Sequence, residues 1–234
     1  MGEKVLVSWS GGKDSALVLY ELLKSAQYEV AALLTTLTED YDRVSMHGTR
    51  RRLLTGQAEA LGFPLEKVYI SKSASNAEYE SRMGEVLTRY LRAGVGSVAF
   101  GDIFLGDLRK HREENLSRLT MTGIFPLWRR NTAGLAEYFV DSGFKAVVTC
   151  VDSEYLSGDF VGREYGREFL SDLPDGVDWC GENGEFHSFV YDGPIFHQAI
   201  RHRQGETVLR EERFWYCDLK AVNGDSAGGV TPGC

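Results

Sequence analysis

The stretch from Val5 to Lys24, VLVSWSGGKDSALVLYELLK, restricts the possible folds of this chain more than any other. Val5-Leu6-Val7 is an apolar run with β-branched residues, long enough for a buried strand. Ser10-Gly11-Gly12-Lys13-Asp14-Ser15 follows at once. Ala16, Leu17, Leu19, Tyr20, Leu22 and Leu23 then recur at helical spacing. The order is strand, glycine-rich turn, helix. A helix start offers unpaired backbone N–H groups and a partial positive charge, a seat for an anion. Gly11 and Gly12 let the backbone curl so that successive N–H groups point inward. Ser10 and Ser15 add hydroxyls, and Lys13 adds a mobile positive charge. Asp14 would repel a phosphate unless it caps the helix or shares a metal ion with it.

Beyond this unit the pattern alternates. Tyr28 to Leu37 predicts a second strand, whose end at Leu34-Thr35-Thr36 offers backbone groups to a base or presents only an ordinary β-branched strand end. Met46-His47-Gly48 leads into a helix from Thr49 to Leu61 that carries Arg50-Arg51-Arg52 on its first turn. Cations there oppose the helix dipole, which points to anionic company or to a solvated face. Leu65 to Ile70 is a third strand, and Asn76 to Ala93 an amphipathic helix. Ser97 to Phe100 is a fourth strand, closed by Gly101-Asp102-Ile103. An Asp at the carboxyl end of such a strand faces the ligand crevice of a parallel sheet, or caps a turn. A charged helix from Asp107 to Leu119, an apolar run from Gly123 to Trp128, a helix from Thr132 to Ser142 and a strand from Lys145 to Val151 continue the rhythm. The expected fold is therefore α/β, a parallel sheet with helices on both faces.

After residue 152 the rhythm changes. A short helix over Gly162 to Leu170, a strand over Phe186 to Tyr191 and an alternating run from Thr207 to Leu219 stand among loops. The expected organisation is a larger α/β domain over 1–152 that carries the glycine-rich loop, a small α+β domain over 153–223, and a flexible glycine-rich tail over 224–234. The chain has 234 residues, enough for such an arrangement. Its formal net charge of −8 argues against a protein that grips long nucleic acid. Four widely spaced cysteines, none in a CxxC pair, signal neither a zinc site nor a redox dithiol and suit a reducing cytoplasm. No apolar run approaches the roughly 20 residues of a membrane span, and the chain enters its first strand without a signal peptide.

A second constellation lies in the last third. Gly181-Glu182-Asn183-Gly184-Glu185-Phe186-His187 sets two carboxylates and an imidazole between glycines, and Asp192-Gly193-Pro194 follows as a turn. Such a set can hold an ammonium ion, orient an amine or bind a metal, or it can be two surface turns.

The loop is not a Walker A motif, since Val7 stands where that motif needs Gly and Asp14 where it needs Ser or Thr. SGGKDS instead resembles the PP-loop of the ATP pyrophosphatase superfamily, whose members cleave ATP between the α and β phosphates. Paired with GENGEFHSFVYDGPIF, it resembles the diphthine–ammonia ligase family. His47-Gly48 with QAEALGFPL, FGDI at Phe100 to Ile103, RKHRE at Arg109 to Glu113, PLW at Pro126 to Trp128 and GRE at Gly162 to Glu164 also match that family. The resemblance runs from residue 4 to about residue 200.

It implies a fold of the HUP, or adenine nucleotide α-hydrolase-like, type. It implies ATP with Mg²⁺, ammonia, and a carboxylate acceptor. In the family that acceptor is diphthine, a modified histidine on elongation factor 2. Carried over, Ser10, Gly11, Gly12, Lys13, Asp14 and Ser15 would hold the phosphates, with Thr35 and Gly101 beside the nucleotide. Lys13, Asp14, Asp102, Glu182 and Glu185 would be catalytic. Asp14 and Asp102 would hold Mg²⁺, and Glu182, Glu185 and His187 would line the acceptor or ammonia side. A homodimer is one arrangement open to such a chain. The competing readings are the same chemistry on a small metabolite, a cobalamin-linked one among them, a tRNA-modifying PP-loop enzyme, and a nucleotide-binding sensor without turnover.

Overall fold

The computed structural model describes residues 2–39, the backbone of 43–44, and residues 49–71 and 74–222. The Met46-His47-Gly48 turn and the 224–234 tail lie outside the described residues. In chain order the first layer is β1 (Glu3–Ser8), α1 (Lys13–Lys24), β2 (Tyr28–Thr38), β3 (Arg43–Val44), α2 (Arg51–Leu61), β4 (Leu65–Ile70), α3 (Asn76–Arg92), β5 (Ser97–Ala99), α4 (Gly106–Ser117) and β6 (Thr122–Ile124). α5 (Thr132–Asp141) follows, and then β7 (Lys145–Asp152), α6 (Arg167–Asp172), β8 (Phe186–Asp192), β9 (His202–Arg210) and β10 (Phe214–Ala221).

Strands β4, β2, β1, β5 and β6 lie side by side in that order and run parallel. β3 adds a two-residue antiparallel piece at the end of β2. Side chains alternate across a strand, and the two faces of this sheet bury different partners. Val5, Val7, Leu33 and Leu37 point toward α1, α2 and α5. Leu6, Ala32, Leu34 and Val68 point toward α3 and α4, represented by Leu87 and Leu116. The predicted parallel sheet with helices on both faces is what forms. After β1 the chain crosses to β2 on one side and later returns to β5 on the other. The crevice of an open sheet lies at such a reversal, beyond the carboxyl ends of the strands. Here those ends carry residues 9–12 and 100–105.

β7 departs from the expectation. It is as buried as a central strand should be, but it does not extend the parallel sheet. It pairs antiparallel with β8 and β10, in a second sheet of order β8-β7-β10-β9. A run of Val, Ala and Cys buried on both faces looks the same in either sheet, so the second sheet begins seven residues before the expected change at 152. The alternating run from Thr207 to Leu219 is likewise two strands, not one. β9 and β10 meet at a tight turn where Glu211 and Glu212 take φ of 52° and 54°. No Gly or Asn marks that turn, which is why it is invisible in the residues. The short helix starts at Arg167, because Glu164 first bridges to Val147 of β7. A single apolar core joins the layers, running from Val7 and Leu54 to Val148, Phe186, Phe189 and Val190. Among the described residues no helix is long and apolar enough to cross a membrane.

Candidate active site

The phosphate-type loop is built by its neighbours as much as by its glycines. Gly11 has φ of +80°, and a Cβ there would come within 2.6 Å of Leu54 Cδ2 and 2.7 Å of Gln57 Oε1. Only glycine fits both that backbone conformation and that space. Gln57 is fully buried on α2 and holds three groups at once. Its Nε2 donates to the Gly11 carbonyl (3.0 Å) and to the Val190 carbonyl (2.5 Å), and its Oε1 accepts from the Trp9 indole (3.0 Å). The Val190 N–H donates to the Gly11 carbonyl at 2.9 Å, so the loop caps the otherwise open edge of β8. The Lys13 N–H donates to Ser188 Oγ, also on β8, at 3.2 Å. Ser10 Oγ accepts from the Gly12 N–H, and Ser15 Oγ donates to the Gly12 carbonyl.

Lys13 is 4% exposed. Its ammonium lies 2.9 Å from Asp14 Oδ2 and 5.4 Å from the centre of the Phe186 ring. Burial works against that charge, but Asp14 and Glu182 outweigh it and hold the pKa above its ordinary value. The cation is thus locked in its charged form at the start of α1.

Across the crevice, Gly101 lies against the loop, and a Cβ there would come within 3.0 Å of Asp14 Cβ. Glycine allows that approach and brings Asp102 to the crevice. Asp102 is buried, with Arg112 Nη2 donating to Oδ1 at 3.2 Å. Arg112 Nε lies 2.8 Å from Oδ2, but its N–H is not aimed at that oxygen. Burial raises the Asp102 carboxyl above the usual range and the charge of Asp14 adds to this, against the pull of Arg112. Three buried oxygens here have no hydrogen-bond partner among the described residues: Asp14 Oδ1, Asp102 Oδ2 and Thr35 Oγ1. Buried acceptors left open are costly unless a ligand or ion completes them. No group of three or more metal-ligating side chains occurs among the described residues. Mg²⁺ takes one or two carboxylates and completes its shell with phosphate and water, and the open oxygen of Asp14 fits that demand, whereas both oxygens of Asp102 already lie against Arg112.

The acidic turn reaches the crevice from the second sheet, through one of its two glutamates. Glu182 Oε1 accepts from the Ile103 N–H at 2.7 Å and, more weakly, from the Phe104 N–H at 3.4 Å. Burial, aided by the charge of Asp14, pushes its pKa up to about 7 in spite of those donors and Lys13. Glu185 faces the other way. It is 1% exposed, and its oxygens accept from the Asp178 N–H, the Asn183 N–H and the Asn183 Nδ2 at 2.9–3.0 Å. It ties its own turn together and does not line the crevice. Asp178, unmarked in the residue pattern, shares that task by accepting from the Cys180 and Glu182 N–H groups. His187 is next to Phe186 and Ser188, which both face Lys13. Strand alternation puts its side chain on the opposite face of β8. The sequence-level assignments of Glu185 and His187 to the acceptor side are therefore not matched by their positions. Cys180 lies close to Lys13, but its thiol donates to the Thr132 carbonyl, and burial raises its pKa far above normal.

Two family models match this chain. One, described as the diphthamide synthase N-terminal domain, covers residues 3–122. The other, the diphthamide synthase C-terminal domain, covers residues 131–223. A protein of Danio rerio named diphthine–ammonia ligase is 29% identical over 225 residues, covering 87% of this chain and 88% of the relative. Its namesake in Rattus norvegicus is 26% identical over 223 residues, covering 86% and 83%. A protein of the same name in Schizosaccharomyces pombe is 28% identical over 217 residues. That match covers 84% of this chain but 36% of the longer yeast protein.

Proposed function

This chain belongs to the diphthamide synthase family, and on that premise we propose that it is an ATP-dependent ligase that activates a carboxylate as its adenylate and joins ammonia to it. The observation that carries the reading is the meeting of two loops. Lys13 and Asp14 stand at an anion seat, and Glu182 is held against residues 103–104 within electrostatic reach of both.

An acceptor carboxylate oxygen attacks the α-phosphorus of ATP, and the bond to the bridging oxygen breaks, so pyrophosphate leaves. Lys13 and the N–H groups at the start of α1 neutralise the charge that grows on that leaving group. The nest pinned by Gln57 and Ser188 keeps those donors aligned before reaction, so alignment costs little at the barrier. Mg²⁺, held by Asp14 with Asp102 beside it, would supply further positive charge to the phosphates. Ammonium then gives a proton to Glu182, whose pKa near 7 suits a base at neutral pH. The ammonia nitrogen attacks the acyl carbon, AMP leaves and its phosphate takes the surplus proton of that nitrogen, and an amide remains. Glu185 positions Glu182 through the turn they share.

The acceptor we propose is a diphthine-type carboxylate carried on a protein, by analogy with the relatives' names. The described cysteines, Cys150, Cys180 and Cys217, are buried free thiols, which supports a cytoplasmic setting. Cys180 is held protonated, which counts against a sulfur-transferring alternative. Incubation with ATP, Mg²⁺, ammonium and a diphthine-bearing protein should yield AMP, pyrophosphate and an amide one mass unit lighter than the acid. ADP as the product would overturn the reading.

A further inference from the structure

The arginines that open α2 take no part in the crevice chemistry. Arg50 is accounted for by Asp218 of β10, to which it donates at 2.9 and 2.8 Å. Arg51 and Arg52 instead line a groove of about 940 Å³ between the outer side of α2, β4, residues 198–201 and the end of β10. Lys67 of β4 and Arg201 line the same groove, and among the described residues neither has an ion-pair or side-chain hydrogen-bond partner. Glu59 is the one acid among the described lining residues. Two cations without a described partner, Lys67 and Arg201, thus stand beside Arg51, Arg52 and one described carboxylate, on a chain whose net charge is −8. A concavity of one sign on a surface of the other concentrates the field and selects an oppositely charged partner. The groove also flanks the site. The inner side of α2 carries Leu54 and Gln57 against Gly11, so the groove lies one helix width, roughly 10 Å, from the phosphate loop.

We propose that this groove docks an acidic stretch of the polypeptide that carries the acceptor carboxylate, an inference that rests on the protein-borne acceptor proposed above. The volume is at the upper end for a small-molecule site and far exceeds a phosphate ion. Ile200, Ala199 and Val222 form an apolar part of the lining that a peptide covers and a bare anion does not. Among the described lining residues none is aromatic, so none offers bases a face to stack on. Glu59 disfavours a dense phosphate backbone but accepts a peptide N–H.

The test uses the full-length protein and fluorescein-labelled octaglutamate, followed by anisotropy, with ATP binding measured calorimetrically on the same samples. The peptide should bind, weaken steeply from about 50 to about 300 mM salt, and lose at least about tenfold in affinity in the Lys67→Glu, Arg201→Glu double variant. ATP binding should be unchanged by those substitutions. The milder Lys67→Gln and Arg201→Gln single variants replace the double variant if it does not fold, and should each lose a few-fold. The proposal fails if wild type does not bind the peptide, or if the variants bind it equally well. It also fails if inorganic triphosphate or a single-stranded RNA dodecamer binds the groove more tightly than the peptide does. Loss of ATP binding in wild type would instead overturn the ligase reading and leave the peptide result standing.

Discussion

The phosphate loop and the acidic turn are both glycine-rich, both carry a carboxylate next to the crevice, and both are held by buried polar side chains. They differ in what those side chains leave open. Gln57 and Ser188 use up the backbone carbonyl of Gly11 and the N–H of Lys13, while Asp14 Oδ1 stays without a partner. In the acidic turn the division falls between two glutamates three residues apart. Glu185 accepts three donors of its own turn with both of its oxygens, and Glu182 accepts from the Ile103 and Phe104 N–H groups with one oxygen alone. Identical chemistry becomes scaffold in one place and reactive group in another, because local donors saturate the first and not the second.

The largest effect should come from Lys13→Ala, which removes the loop's only side-chain cation. AMP release should fall by about a thousandfold, with little change in far-ultraviolet circular dichroism. A variant that keeps a tenth of the activity would mean that the backbone nest alone carries the charge.

Glu182→Gln should lower kcat by about a hundredfold while the melting temperature holds. Its pH profile sharpens the comparison. Wild-type activity should rise through pH 7 as Glu182 loses its proton, and the variant should be flat there. Stability runs the opposite way. A carboxyl whose folded pKa is raised favours the folded state below its unfolded pKa, and that contribution is lost as pH rises through 7. Glu182→Gln should therefore show a shallower loss of stability between pH 5 and 8, read from urea unfolding.

Glu185→Ala should instead unfold the turn. Three donors would lose their acceptor, two of them on the exposed Asn183 where water can replace it, at a cost of about 1–2 kcal/mol, and activity should fall only as far as Glu182 is displaced. Equal loss of activity in Glu185→Gln, without loss of stability, would show that Glu185 meets the substrate after all. The smallest effect is expected of His187→Ala, which should change kcat by less than about twofold, since its side chain leaves the loop-facing side of β8.

The order strand, glycine turn, helix and the alternation after it were enough to specify a parallel α/β layer, because each depends on spacing along a short run. The family motifs likewise picked out SGGKDS, Gly101-Asp102 and Glu182, and the fold brings those segments together beyond the ends of β1 and β5. Gln57 left a trace that went unread: it is a polar residue in the apolar stripe of Leu53, Leu54, Ala58 and Leu61. β7 left none, because a strand buried on both faces has no periodicity to say which sheet it joins. The surroundings of Glu185 and His187 were equally hidden. Which oxygen finds a donor and which face of a strand meets the loop depend on residues far apart in the chain. Those partners come together only when the second sheet closes on the first.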